Sequence, residues 1–316
     1  MTFIDINPQS AQFHQVIRTI QVGNSPRGLA FEPSNEDLLV CNELDSTISV
    51  VAAGTLDVRR TLGSQLNRPF EVCVTPRMTN FSFQRGVYFA HVMNRTGSVA
   101  LMESGPNGVN GWGFDDIIGI IPFTFRAPKT LQIDPLNLDA SVYIVHEGPI
   151  DVATGNPGDL GIGAISRLRI ESGLIGVLPL QLTGVINPNF RDVEFNVPVS
   201  ISQSNGQLSG IPIDIAFDNQ RNLGAIPGPA TNFSAGSPIP ANHKGNTRVI
   251  GPVSVNTSEP QFLFASVPNP IGGSGVVDVL ALALTGLPRF DTNPYQDGIQ
   301  SIPVPQVTLL SDYWRQ

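Results

Sequence analysis

The chain has 316 residues with a formal net charge of −8, and 41% of its residues are hydrophobic while only 14% are charged. Because 18 Lys and Arg residues are too few for a track that neutralises many phosphates, this composition argues against nucleic acid as a partner. The 31 glycines and 27 prolines occur along most of the chain and would break the helices of an α-helical protein. The composition therefore predicts an all-β protein rich in turns.

In chain order, the first segments are MTFIDIN (1–7) and HQVIRTIQV (14–22), which have the pattern of the third and fourth strands of a four-stranded unit. This start in the middle of a unit leads us to expect a longer precursor, of which this chain is the C-terminal part and from which an export signal has been lost. The chain has no signal-peptide pattern and no apolar run of about 18 residues, so no membrane span is predicted.

Four further units follow. Their first strands open with Pro, which suits the start of a strand because it lacks the N–H donor: SPRGLAFEP (25–33), RPFEVCVTP (68–76), APKTLQIDP (127–135) and IPIDIAFDN (211–219). The second strands are DLLVCNE (37–43), GVYFAHV (86–92), SVYIVHE (141–147) and QFLFASV (261–267). The third strands are STISVVA (46–52), GSVALME (97–103), GAISRLRI (163–170) and GVVDVLAL (275–282). With weaker fourth strands, this spacing predicts the blades of a β-propeller.

The segment VIRTIQVGNSPRGLAFEPSNEDLLVCNELDSTISVV (16–51) resembles the YVTN repeat of YncE-like propellers, in the lactonase-like propeller superfamily. In that repeat a strand ends in Val-Gly, a turn with Pro follows, and the second strand ends in a Tyr-Val-x-Asn tetrad. LVCN (39–42) represents the tetrad here, and YFAH (88–91), YIVH (143–146) and LFAS (263–266) match it more loosely.

The resemblance implies a single β-propeller domain over residues 1–316, built from four-stranded antiparallel blades. We expect five or six blades, or seven if the chain is truncated, with SIPVPQVTLLSDYW (301–314) as a last strand that helps to close the ring. Long insertions are predicted near residues 103–116, 147–163 and 182–260. Two packed β-sandwiches are the alternative, since short strands with regular turns also describe those folds.

In an up-and-down blade, the start of the first strand and the end of the second lie on the same face. Alignment of the units on their Pro gives one column of residues two positions later: Gly28, Glu71, Thr130 and Asp214. Alignment on the last tetrad position gives a second column: Asn42, His91, His146 and Ser266. We expect both columns at one mouth of the central channel.

Glu71, Asp214, His91, His146 and Asn42 are therefore the candidate ligand-binding or metal-binding residues. Carboxylate and amide oxygens suit Ca²⁺ and imidazole suits Zn²⁺, so a divalent cation of the Ca or Zn class is the cofactor considered, although the mixture fits no single metal. A solvated polar mouth and a small-ligand site are the alternatives. No GxSxG, HExxH or CxxCH motif occurs, so no catalytic residue is named.

These patterns predict a non-enzymatic binding or scaffold propeller that uses one face of its ring to bind a protein or a small molecule. Low charge and acidic balance lead us to expect an extracytoplasmic protein, whether periplasmic, secreted or on the cell surface. The resemblance implies an alternative, a lactonase-like hydrolase with a metal or acid/base site at the channel mouth. Fold alone does not separate the two functions, because propellers carry both.

Overall fold

The computed structural model describes residues 1–32, 37–75, 88–104, 115–133, 142–151, 153–168, 170–171, 194–195, 199–200, 208–217, 262–268, 275–281 and 300–303. The regular elements in these residues are all β-strands: β1 (Thr2–Ile4), β2 (Val16–Thr19), β3 (Pro26–Phe31), β4 (Leu38–Asn42), β5 (Thr47–Ala52), β6 (Asp57–Leu62), β7 (Pro69–Val74), β8 (Tyr88–Asn94), β9 (Ser98–Ser104), β10 (Asp116–Thr124), β11 (Arg126–Ile133), β12 (Val142–Glu147), β13 (Gly163–Leu168), β14 (Ile170–Glu171), β15 (Glu194–Phe195), β16 (Val199–Ser200), β17 (Asp214–Phe217), β18 (Phe262–Val267), β19 (Val276–Ala281) and β20 (Gln300–Pro303). Within this described part, no helix is long and apolar enough to cross a membrane.

The chain divides into two compact units, which we describe separately. Unit 1 comprises Met1–Ser141 and Arg169–Val197, and unit 2 comprises Val142–Leu168 and Pro198–Gln316. The single domain predicted over residues 1–316 stays a prediction.

Unit 1 contains two four-stranded antiparallel sheets, with the orders β3-β4-β5-β6 and β7-β8-β9-β10. Strands that are consecutive in the chain are neighbours in the sheet, which is the topology of a propeller blade. Leu39 and Ile48 of the first sheet form one buried cluster with Val72, Val92 and Met102 of the second. Alternate residues of β4 and β5 thus face this cluster. The predicted fold class, all-β with four-stranded antiparallel propeller blades, is confirmed, and the number of blades stays a prediction.

Strands β1 and β2 form a separate antiparallel pair, with Thr2 opposite Thr19. Phe3, next to Thr2, and Ile20 pack against buried Val40 of the first four-stranded sheet. The two N-terminal strands expected from the sequence are therefore present.

Unit 2 contains the antiparallel sheet β17-β18-β19-β20 and three neighbouring strands of a further sheet, β12, β13 and β16. Tyr143 and Ile165 form one buried cluster with Ile215, Leu263 and Leu280. The sheet β17-β18-β19-β20 therefore repeats the topology of unit 1, whereas β13 pairs with β16, which is not the next strand in the chain.

The repeat extends to the backbone conformation before three of the four Pro-containing first strands. Pro26 and Pro69 are the first residues of β3 and β7, as predicted, whereas β11 starts before its Pro and β17 after its Pro. The residue before Pro has positive φ in three units: Ser25 (53°), Arg68 (52°) and Ala127 (42°). Because a residue before Pro normally adopts an extended conformation, this shared turn is a specific feature of the blade entry.

The strand register corrects the position assigned to His91. Pro69 lies opposite Asn94, as Pro26 lies opposite Asn42, so Asn94 is the residue that ends the second strand of this sheet. His91 lies three residues earlier, inside β8. Alignment of YFAH on its Tyr placed His91 at the position of Asn42. In the structure Asn94 has this position, and its side chain is hydrogen-bonded to Ser98 across the hairpin.

The three predicted insertions are described to different extents. Of 103–116, residues 105–114 lie outside the described residues. The 147–163 segment folds back on itself, since the Gly148 N–H donates to the Ile162 carbonyl at 2.9 Å and Ile150 forms a β-bridge with Pro157. Most of 182–260 lies outside the described residues, as does the part of the predicted last strand (301–314) that follows residue 303.

Candidate functional site

Three arginines surround one buried carboxylate at the hairpin between β4 and β5. The Glu43 carboxylate contacts Arg27 Nε at 2.6 Å, Arg68 Nη2 at 2.8 Å and Arg95 Nε at 3.0 Å. Glu43 is almost fully buried, whereas the side chains of Arg27 and Arg68 are 55% and 54% exposed. We call these four residues the arginine cluster.

The charges of this cluster do not balance. One carboxylate faces three guanidinium groups, which leaves a formal surplus of positive charge in a protein whose net charge is −8. The hydrogen bond from Arg95 and the charges of all three arginines hold the pKa of the Glu43 carboxyl below its ordinary value, although burial acts in the opposite direction. Glu43 therefore stays ionised and positions the arginines.

Arg95 is held on a second side by an aromatic ring. Its guanidinium carbon lies 3.8 Å from the centroid of Phe70, which is buried at the start of β7. A cation above an aromatic face is attracted by the ring quadrupole. With two hydrogen bonds to Glu43 as well, the Arg95 side chain is fixed in orientation.

An open depression of about 610 Å³ adjoins the arginine cluster. Its charged lining comprises Arg27, Arg95 and Lys129, with Glu71 as the carboxylate. Leu29 and Phe70 contribute apolar surface. The depression thus has more cationic than anionic side chains, and we call it the arginine depression.

Gly28 allows two strands to meet beside this depression. A Cβ at Gly28 would lie 2.6 Å from the Glu71 Cα and 2.7 Å from the Phe70 carbonyl oxygen, distances that a real side chain cannot adopt. Glycine is therefore required where β3 approaches β7. The structure brings together Gly28 and Glu71, two members of the first predicted column.

Several residues of the site directly follow the blade-opening Pro or the strand-ending Asn. The residue directly after the blade-opening Pro is Arg27, Phe70 or Lys129, and the residue directly after the strand-ending Asn is Glu43 or Arg95. Sequence reasoning missed them because it followed residues two positions after Pro and the Asn position itself. Comparing the flanking positions of the repeats would have revealed the alternation of opposite charges.

Asn42 has a structural role at the end of β4. Its Nδ2 donates to the Thr47 hydroxyl at 3.0 Å and to the Ser49 hydroxyl at 2.9 Å, and the side chain is buried. Asn94 repeats the arrangement with the Ser98 hydroxyl at 3.1 Å. These amides hold the hairpins that carry Glu43 and Arg95.

His146 occupies the position of Asn42 in unit 2. Its Nδ1 lies 2.9 Å from the Glu147 carbonyl oxygen and its Nε2 lies 2.7 Å from the Ser166 hydroxyl. Since a carbonyl only accepts, Nδ1 carries the hydrogen and Nε2 accepts from Ser166. Burial lowers the pKa of His146 to about 4, so the ring is neutral near pH 7.

The hydrogen bonds continue from Ser166 into the folded-back insertion. Ser166 lies 2.9 Å from the Ser200 hydroxyl, which accepts from the Ile150 N–H at 2.7 Å. His146 therefore anchors the 147–163 segment through buried serines.

His91 is fully buried in β8, opposite Cys73 and Leu101. Burial lowers the pKa of its imidazole to about 3, so the ring is neutral. Neither ring nitrogen has a hydrogen-bond partner within the described residues. A side chain with no exposed surface cannot contact a ligand at a channel mouth.

Asp214 is exposed at the start of β17, opposite Ser266. Its Oδ1 accepts from the Ile215 N–H at 2.8 Å, and the Ser266 hydroxyl donates to the Asp214 carbonyl at 3.3 Å. The structure thus brings Asp214 and Ser266 together, as members of the two columns. The fourth member of the first column, Thr130, is buried in β11.

The five candidate residues do not fit a divalent cation as a set. In the part of the chain that the structure describes, no group of three or more His, Cys, Asp or Glu side chains could hold a metal ion. His91 and Asn42 are enclosed within their sheets, and His146 uses both ring nitrogens in hydrogen bonds. The arrangement that the structure does offer is cationic, with guanidinium donors beside an open depression.

No protein-family model and no curated protein matches the chain. Among solved structures, the chain is similar to a functionally unknown protein from Desulfotomaculum acetoxidans, with 15% identity and a TM-score of 0.44 over 92% of this chain and 65% of that one. It is also similar to the Cps50 (Swd1) β-propeller domain of Myceliophteria thermophila, with 9% identity and a TM-score of 0.39 over 91% and 74%. A third similar structure is a gluconolactonase from Xanthomonas campestris, with 12% identity and a TM-score of 0.36 over 84% and 61%. The chain therefore spans less than two thirds of the length of the first and third of these proteins.

Proposed function

We propose that this protein is a non-enzymatic binding module and that the arginine depression of unit 1 binds anionic groups of its ligand. The observation that carries the proposal is the surplus of guanidinium groups around Glu43 beside an open depression of about 610 Å³. Guanidinium groups bind carboxylates and phosphates through paired, charge-assisted hydrogen bonds. The ligand class is therefore anionic.

A purely structural ionic cluster would have a different composition. Buried ion pairs are stabilising when each charge has a partner and the remaining hydrogen bonds are satisfied. Here one carboxylate serves three arginines, and two of them keep more than half of their side-chain surface in solvent. An anion can therefore reach the exposed surface of these two side chains.

A labelled hexaglutamate peptide tests this proposal, with binding followed by fluorescence polarisation at several NaCl concentrations. We expect saturable binding that weakens as salt rises, because exposed charges are screened. Arg27→Gln should weaken binding by about tenfold, the effect of losing one charge-assisted hydrogen bond.

Arg18→Gln is the matched control, because Arg18 is an exposed arginine of unit 1 that pairs with Asp57 and does not line the depression. Circular dichroism of both variants verifies that they fold. The proposal would be contradicted if Arg27→Gln and Arg18→Gln weakened hexaglutamate binding equally, or if neither variant changed it.

A lactonase-like hydrolase was the alternative predicted from the sequence. It needs Glu71, Asp214, His91 and His146 to act together, and no observation on the described residues singles it out. The proposal keeps the resemblance to YncE-like propellers and the extracytoplasmic location, both supported by the repeat pattern and the acidic, weakly charged composition. Fractionation of the native host, with the protein detected by antibody, tests that location.

A further inference from the structure

A second depression in unit 1, of about 510 Å³, lies where the segment after β2 packs against the first four-stranded sheet. Its volume is within the range of about 300–1,000 Å³ that is typical of small-molecule sites. Three hydroxyl side chains of β5 and β6 line it, those of Thr47, Ser49 and Thr61. Among its lining residues in the described part of the chain, Asp45 alone is charged. We call it the hydroxyl depression.

The three hydroxyls project from one face of the sheet. Ser49 lies opposite Thr61, and Thr47 is two residues before Ser49 in the same strand. Asn42 Nδ2 donates its two hydrogens to Thr47 and Ser49, so both hydroxyl oxygens accept and both keep their own hydrogen to donate. Neither hydroxyl has another hydrogen bond to the described residues, although the Ser49 side chain is only 2% exposed. A buried donor is therefore available to a ligand.

The second four-stranded sheet shows that the blade topology does not require these hydroxyls. Ser49 and Thr61 form one cross-strand pair, and the equivalent pair of the second sheet is Ala100 and Ile120. Both of these apolar residues belong to the hydrophobic cluster between the two sheets. The same position is thus filled by apolar packing in the second sheet, whereas in the first sheet it is open and carries hydroxyls.

We propose that the hydroxyl depression binds a neutral saccharide. A sugar hydroxyl both donates and accepts, so it can accept from Ser49 and donate to the Asp45 carboxylate. Gln21 Nε2 donates to the Val22 carbonyl at 2.9 Å, which leaves the Gln21 side-chain oxygen as a further acceptor. Val58, 37% exposed, offers apolar surface to the C–H groups of a sugar ring.

The charge of the hydroxyl depression favours a neutral ligand over an ion. Asp45 repels anions, and its two oxygens already accept hydrogen bonds from Asn24 at 2.7 Å, which reduces their capacity to hold a metal ion. The hydroxyl depression shares no lining residue with the arginine depression, so this inference does not depend on the proposed function.

Three uncharged probes test the inference, the methyl glycosides of glucose, galactose and mannose. Each is titrated against the full chain in ligand-observed NMR. We expect saturable binding of at least one of them with a dissociation constant of about 1 mM, as for a ligand held by a few neutral hydrogen bonds.

Two variants introduce the residues of the second sheet. Thr61→Ile should weaken glycoside binding by at least about tenfold, because the larger apolar side chain fills the site and removes a hydroxyl. Ser49→Ala should weaken it by about fivefold, the effect of losing one neutral hydrogen bond. Thr19→Ala is the control, since Thr19 is an exposed residue of β2 that contacts the Thr2 hydroxyl and does not line the depression. Circular dichroism verifies that all three variants fold.

The other outcomes separate this inference from the proposed function. Absence of saturable binding by all three glycosides, or binding that Thr61→Ile leaves unchanged, would overturn the saccharide site while hexaglutamate still tests the arginine depression. Equal weakening by Thr19→Ala would overturn it too. Glycoside binding that Arg27→Gln removes and Thr61→Ile retains would assign the sugar to the arginine depression and overturn the inference.

Discussion

The two ends of strand β4 carry ionic groups of opposite composition. After the strand, one buried carboxylate, Glu43, contacts three arginines. Before the strand, one arginine, Arg59, contacts two buried carboxylates, those of Asp37 and Asp115, with an Nη2–Oδ2 distance of 2.6 Å to Asp115. The Arg59 side chain is 25% exposed, less than any arginine around Glu43. We call this second group the aspartate cluster.

The difference between the two clusters shows that side-chain length determines whether an excess charged group reaches solvent. Surplus arginines keep their guanidinium groups in water at the end of long stems, so they stay charged and accessible. A surplus aspartate is too short to reach solvent from a buried backbone. Burial raises the pKa of the Asp115 carboxyl to about 6, although Arg59 acts in the opposite direction. The aspartate cluster is thus a structural clamp between two sheets, and the arginine cluster is suited to binding.

The largest effect is expected from Arg59→Met, which leaves two buried carboxylates without their shared arginine. We expect the free energy of unfolding at pH 7 to fall by about 3–4 kcal/mol, as when one partner of a buried pair is removed. Urea denaturation measures the change, and hexaglutamate affinity should stay the same.

Arg60→Met is the control for this variant, because the adjacent Arg60 forms an exposed pair with Asp116 at 3.0 Å. Its removal should cost about 0.5 kcal/mol or less. Similar losses in both variants would mean that the aspartate cluster is not a clamp.

Asp115→Asn tests the raised pKa of this carboxyl. Because the folded pKa lies above the ordinary value of 3.8, the folded protein binds the proton more tightly, and the contribution of Asp115 to stability falls as pH rises from about 4 to about 6. This shift corresponds to about 3 kcal/mol, which the Asn variant should not lose over that range. The measurement is denaturation of both proteins at pH 4 to 7. The neighbouring Asp116→Asn variant should keep the pH dependence of stability of the parent protein. If Asp116→Asn lost this pH dependence, its attribution to Asp115 would be contradicted.

Glu43→Gln removes the only carboxylate of the arginine cluster. We expect a loss of about 2 kcal/mol in the free energy of unfolding, smaller than for Arg59→Met because the arginines can turn to solvent. Hexaglutamate should bind more tightly and restore the melting temperature, since its carboxylates replace Glu43 and binding stabilises the folded state.

Glu147→Gln, at the equivalent position in unit 2, is the matched control, because Glu147 accepts a backbone hydrogen bond from Gly161 at 2.9 Å. Hexaglutamate should not raise its melting temperature beyond that of the parent protein. If hexaglutamate failed to stabilise Glu43→Gln, the arginine cluster would have only a structural role, like the aspartate cluster.

The smallest change in stability is expected from Arg27→Gln. Glu43 keeps two arginines, and Arg27 is exposed, so the loss should be about 0.5 kcal/mol or less. Its effect on hexaglutamate affinity should nevertheless be larger than that of any other variant in this series. Calorimetric melting and polarisation on the same preparation compare the two effects, and a large drop in melting temperature would make Arg27 a structural residue.

Much of the fold could be predicted because short-range patterns specify it. Alternating apolar residues, opening prolines and polar turns define strands and their order, since each depends on residues close in the chain. The two four-stranded sheets of unit 1 and the N-terminal strand pair follow from these patterns. His91 was misplaced because strand register depends on the hairpin beyond it, which aromatic spacing does not encode.

The site itself depended on tertiary structure. Glu43 follows β4, whereas Arg68 and Arg95 lie at the paired ends of β7 and β8, where the Arg95 N–H donates to the Arg68 carbonyl at 3.1 Å. The close approach of β3 to β7 at Gly28 lies between the same two sheets. The sequence alone determined the blade topology and its polar turn positions, because local patterning is sufficient for both. Which charges meet, and whether a polar side chain is exposed or enclosed, was decided by packing between sheets. That packing left Arg27 accessible to a ligand and buried His91 in the core.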